Sequence, residues 1–139
     1  MNTPMNNNLD SADTLIRLQG KVNGLIMDLS SLLSKRSEIK ATTRMCEVRR
    51  YQSKTIFEVC VDAETNGGAA VSFWFELGCE NKRWHVAASI SRTVTDGQDI
   101  LEEYPESFPT NIEQLEAVAA QASDWLVNKG KVFDFNGAS

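Results

Sequence analysis

Apolar side chains recur three and four residues apart through the first quarter of the chain: Leu15, Leu18, Val22, Leu25, Leu29 and Leu32. Ile26 and Leu33 widen the stripe. This period predicts the broad apolar face of a helix packed on a core. Asp10-Ser11-Ala12-Asp13 supplies start signals, and Lys35 and Arg36 follow an end near Ser34, where cations complement the helix dipole. Residues 1–9 are expected to form a flexible, Asn-rich arm, leaving 10–139 as one domain. Gly20 and Gly24 share a helix face. They mark either the close approach of a second copy, as in a homodimer, or simply positions that face crowded sheet residues or solvent, and the latter reading is preferred.

From residue 42 to 94 the period changes to two, which predicts strands over 43–51, 55–63, 70–77 and 83–94. Ser53-Lys54, Asn66-Gly67-Gly68 and the run from Gly78 to Lys82 join them. Links this short force antiparallel neighbours in sequence order. Phe57, Val59 and Val61, then Val71, Phe73, Phe75 and Leu77, then Trp84, Val86, Ala88 and Ile90 all fall on one face. The expected register sets Val48 opposite Val59, Phe73 opposite Val59 and Phe75 opposite Val86. Arg49 then faces Glu58, and Glu76 faces His85. Asp96-Gly97 turns the chain into a long ordered connection over 98–108, pinned by Ile100, Leu101, Tyr104 and Phe108. Thr110 and Glu113 read as a capping box. The stripe Ile112, Leu115, Val118, Ala119, Ala122, Trp125 and Leu126 predicts a second helix, closed by Lys129-Gly130, with the aromatic tail after Val132 docking back. The expected whole is α-β-β-β-β-α, a two-layer α+β domain. A four-stranded antiparallel meander carries its amino- and carboxyl-terminal helices on one face.

Composition narrows the function. The 139 residues are 42% apolar, with 19 acidic and 14 basic side chains and a net charge of −5, so a core can form and wholesale disorder is excluded. The opening Met1–Asp10 segment is polar and without Lys or Arg, unlike a secretory signal. No stretch is apolar enough to cross a bilayer as a helix. Cys46, Cys60 and Cys79 lack CxxC spacing and read as plain thiols in a reducing cytoplasm, with Cys46 and Cys60 as small buried strand residues. One His and scattered Cys make no metal set, and no phosphate-binding glycine motif is present, so no metal and no cofactor is expected. Arg44, Arg49, Arg50 and Lys54 cluster near Tyr51. The acids sharing that hairpin and its neighbours make nucleic acid an unlikely partner.

Both helices on one face leave the other face open, with Glu47, Arg49, Tyr51, Glu58, Cys60, Asp62, Ser72, Trp74, Glu76, His85, Ser89 and Ser91 on it. A tryptophan among carboxylates suits a protein interface. The 96–106 segment carries five carboxylates and no Lys or Arg, a complement to a basic surface. The expected partner-binding residues are therefore Trp74, Glu76, Asp99, Glu102, Glu103, Tyr104 and Glu106. The competing reading is a small-molecule enzyme or ligand binder, with Glu76 orienting His85 as base and Cys60 or Ser72 as nucleophile. Cys60 and His85 are two strands apart, which counts against it. In size, acidity and helix–sheet–helix plan the chain looks like two broad groups of small bacterial proteins, the immunity proteins that neutralise toxin domains and the secretion chaperones. That likeness implies a non-enzymatic, cofactor-free cytoplasmic binder or inhibitor of another protein.

Overall fold

The structure is a computed structural model that describes residues 4–138, with side chains over 12–137. Helix α1 (Pro4–Ser34) precedes strands β1 (Ile39–Tyr51), β2 (Lys54–Thr65), β3 (Ala70–Glu80), β4 (Arg83–Val94) and β5 (Gly97–Ser107). Helices α2 (Ile112–Lys131) and α3 (Phe135–Ala138) follow. The class is α+β, with one antiparallel sheet in the order β1-β2-β3-β4-β5. The sheet thus has five strands where four were expected. The segment expected as a connection over 98–108 is almost wholly β5, paired to β4 with irregularities near Ala88 and Ser91. Bulges displace side chains by one position and blur the alternation by which strands are read. Pro105 further disguises β5, although an edge strand tolerates proline.

Both helices pack on the same face, α1 over β1 and β2, α2 over β3, β4 and β5. Phe57, Val59, Val61, Val71, Phe73, Phe75, Leu77, Val86, Ala88 and Ile90 are buried beneath them. The buried line of α1 is Leu18, Val22, Ile26, Leu29 and Leu33, while Leu32 is 43% exposed. α1 also begins earlier than expected, with Pro4 in a first turn that needs no N–H partner. The expected arm of residues 1–9 lies outside the described residues as far as residue 3. An added Cβ at Gly20 or Gly24 would meet nothing within 4 Å, so neither glycine faces crowded sheet residues.

Local signals shifted by small steps. Asn81 and Lys82, at φ 50° and 65°, make the two-residue turn between β3 and β4, so Gly78 and Cys79 belong to β3 rather than to the turn. Asn111, not Thr110, caps α2: its side chain accepts from Gln114 N, and Gln114 Oε1 accepts from Thr110 N at 3.0 Å. Asn111→Ala is expected to cost about 1 kcal/mol in chemical denaturation; an unchanged midpoint would show that the cap is idle. α2 runs one residue beyond Gly130 to Lys131, and this glycine makes room for α1, since a Cβ there would stand 2.7 Å from Leu29 Cδ1. The tail docks: Phe135 is 1% exposed and meets Phe73 and Phe133 edge to face. Arg36 clasps it, donating to Phe133 O at 2.8 Å while lying over the Phe135 ring.

Candidate functional site

Among the described residues, no element packs over the opposite face of the sheet. Side chains on it are nevertheless buried: Glu58 is 3% exposed, Ser91 5% and His85 8%. The strands, at eleven to thirteen residues, are long, and long strands accumulate twist and coil. The uncovered face therefore forms a trough. Met45 of β1 and Gln98 of β5, on the two outer strands, line the same recess of about 330 Å³.

The register builds the trough in rows. Glu47, Glu58, Glu76 and Ala87 stand side by side across four strands, and Met45, Cys60, Trp74 and Ser89 form the next row. Thr43, Asp62, Ser72 and Ser91 follow on one side, and Arg49, Ile56, Gly78 and His85 on the other. Each hairpin is displaced by two residues from the expected register: Val48 pairs with Phe57, Phe73 with Val61, Phe75 with Ala88. A shift of two keeps every side chain on its predicted face. It changes the chemistry, however, because the expected Arg49–Glu58 and Glu76–His85 rungs become diagonals and glutamate stands opposite glutamate.

Like charges directly opposite destabilise a sheet, so the glutamate row depends on its flanking cations. Arg49 reaches along the strand, with Nη2 2.5 Å from Glu58 Oε1 and Nε 3.3 Å from Glu47. His85 Nε2–H donates to Glu76 Oε2 at 2.6 Å, the carboxylate being able only to accept. The imidazole occupies the space where Gly78 lacks a side chain; a Cβ there would stand 2.1 Å from His85 Cε1. Burial pushes the Glu58 carboxyl above its ordinary range. Arg49 opposes this shift, and Glu47 and Glu76 reinforce it.

The enzymatic arrangement does not assemble. Cys60 lies in the Trp74 row and His85 in the Gly78 row, two strands apart. Burial, with Asp62 and Glu58 adding, pushes the Cys60 thiol up to about 11, opposite to the direction a thiolate nucleophile needs. Ser72 Oγ is engaged with Asp62. The three cysteines are free, and Cys46 is exposed, not buried as expected, because it sits on the outer strand β1. No group of three or more His, Cys, Asp or Glu is placed to hold a metal ion among the described residues. No described helix is long and apolar enough to cross a membrane. Known proteins offer no guide: the chain matches no family, no curated protein and no solved structure.

The seven expected partner-binding residues do not share one surface. Trp74, half-buried, and Glu76 lie in the trough. Glu103 pairs with Ser89 on the same side, and Glu106 lines a cleft of about 290 Å³ with Glu76 and His85. Glu102 and Tyr104 instead face the helices. Glu102 binds Lys129 at 3.0 Å, and Tyr104 packs 5.6 Å from the Trp125 ring. Asp99 pairs with Arg92 at 2.9 Å. The residues that the site adds are Glu47, Glu58, Asp62 and Ser91. Strand alternation already sets these four on the open face, and Gly78 within a strand marks the close approach of His85.

Proposed function

We propose that the chain is a non-enzymatic protein-interaction module whose open trough takes the basic surface of a partner protein. Most concretely it acts as an acidic immunity-type inhibitor or a chaperone-like binder in the bacterial cytoplasm. The glutamate row carries this reading. Three carboxylates are held side by side at a cost to the sheet, on a face no part of the described chain covers, next to a half-buried tryptophan. Local rules are broken where function requires it, and an acidic concavity concentrates cationic partners. Glu103 and Glu106 extend the acid along the rim. Asp99 and Glu102, satisfied by Arg92 and Lys129, are assigned a structural part.

The test is a partner captured by crosslinking in the native cell, then measured with purified components. Glu103→Gln with Glu106→Gln is expected to slow association about tenfold at low salt and to flatten its salt dependence, while Trp74→Ala raises the dissociation rate. Unchanged rates, or no partner whose binding depends on the trough, overturn the reading. The alternative, a ligand site in the cleft beside His85 and Glu76, draws support from the His85–Glu76 hydrogen bond alone. A His85 titration that shifts on adding a small ligand would favour it.

A further inference from the structure

The trough contains a recess whose polar groups are left incomplete by the chain itself. Asp62 is exposed, and its carboxylate accepts from Ser72 Oγ but has no cation within 4.0 Å among the described residues. Ser91 is only 5% exposed, lines the recess, and its hydroxyl has no hydrogen-bond partner among those residues. That hydroxyl opens into the recess, available to a ligand, and sits in the same cross-strand row as Asp62 and Ser72. The indole of Trp74, one row along, forms the adjoining wall. At the other end of the recess, Arg49 already holds a guanidinium against Glu58 and Glu47, so this face accommodates that group.

We propose that this recess receives the side chain of an arginine on the partner protein, its guanidinium stacked on Trp74 and donating to Asp62 and to Ser91 Oγ. The inference rests on the docking function proposed above and adds to it the chemical group that anchors the partner. Arginine fits better than lysine because a planar, weakly hydrated guanidinium can stack on an indole and donate in two directions at once. A protein-borne arginine is the source the docking function calls for, and the free amino acid is tested as the other.

The test is a titration of the ¹⁵N-labelled chain with acetyl-Gly-Arg-Gly-amide, following the indole N–H resonance of Trp74, assigned by its loss in Trp74→Phe. The arginine peptide is expected to shift that resonance saturably. The citrulline peptide, isosteric and neutral, should not shift it, and the lysine peptide should bind about tenfold more weakly. Asp62→Asn is expected to weaken the arginine peptide about tenfold, and Ser91→Ala by a few-fold, in chains whose other resonances stay in place. Equal shifts with citrulline, or none with arginine, overturn the proposal. Free arginine binding as tightly as the peptide overturns the protein-borne source. The two readings separate cleanly. A partner that needs Glu103 and Glu106 while the arginine peptide leaves Trp74 unmoved keeps the docking function and removes the anchor. An arginine peptide that binds while no partner depends on the trough does the reverse.

Discussion

Gly78→Ala is expected to destabilise the protein by about 2–3 kcal/mol, the cost of overpacking a filled position. The new Cβ would stand 2.1 Å from His85 Cε1, where real contacts do not occur. β3 lies in the middle of the sheet, so its backbone cannot easily move away. The imidazole must leave instead. It then gives up the 2.6 Å bond to Glu76 and exposes a carboxylate that is now only 14% accessible. Because His85 is the obstacle, His85→Ala should make Gly78→Ala nearly harmless, although His85→Ala alone also costs stability through the lost hydrogen bond. Chemical denaturation of the two single variants and the double variant closes the cycle, with an expected coupling of about 2–3 kcal/mol. Additive effects would show that the ring over Gly78 does not constrain the strand. The functional consequence would be local, since Gly78→Ala should alter the cleft between Glu76 and Glu106 without moving Trp74.

Parity along the strands makes the faces legible in the amino-acid sequence alone. Val59, Phe73, Phe75 and Ile90 lie under the helices as their alternation requires, and the 3.6 period places α1 and α2 on that same side. Register is harder to read, because a two-residue shift conserves every burial preference and only the turns distinguish the alternatives. The Asn81-Lys82 turn, with both residues at positive φ, lengthens β3 through Gly78. That moves His85 from facing Glu76 to facing Gly78. The same shift hides the glutamate row, since the expected register turns it into tidy ion pairs. β5 is hidden by its bulges and Pro105, which break the alternation that identifies the other strands. Acidity along the sequence is visible but says little about position: Glu102 and Glu103 are neighbours in the chain, yet one binds Lys129 and the other faces the trough.

Arg49→Met is expected to cost about 2–3 kcal/mol at pH 8, below the 3–5 kcal/mol typical of breaking a fully buried pair because Arg49 itself is half-exposed. The loss should come from Glu58, which is 3% exposed and would stand charged between Glu47 and Glu76 without its cation. Its carboxyl is already raised above the ordinary range by burial even with Arg49 beside it. A carboxyl raised in the folded state contributes stability that is fully present below its unfolded pKa. That contribution disappears as pH rises through the folded value. Without Arg49 the folded value climbs further. The variant should therefore lose stability over a wider range of rising pH than the parent, and the gap between them should close on acidification. Glu58→Gln in the Arg49→Met background should recover most of the loss at pH 8 and abolish the added pH dependence, because an amide is neutral throughout. Denaturation midpoints across pH 4–8 read all of this directly. A gap between Arg49→Met and the parent that stays constant with pH would mean that Arg49 supports β1 by packing its alkyl stem. The buried carboxylate would then not be what makes the trough depend on this guanidinium.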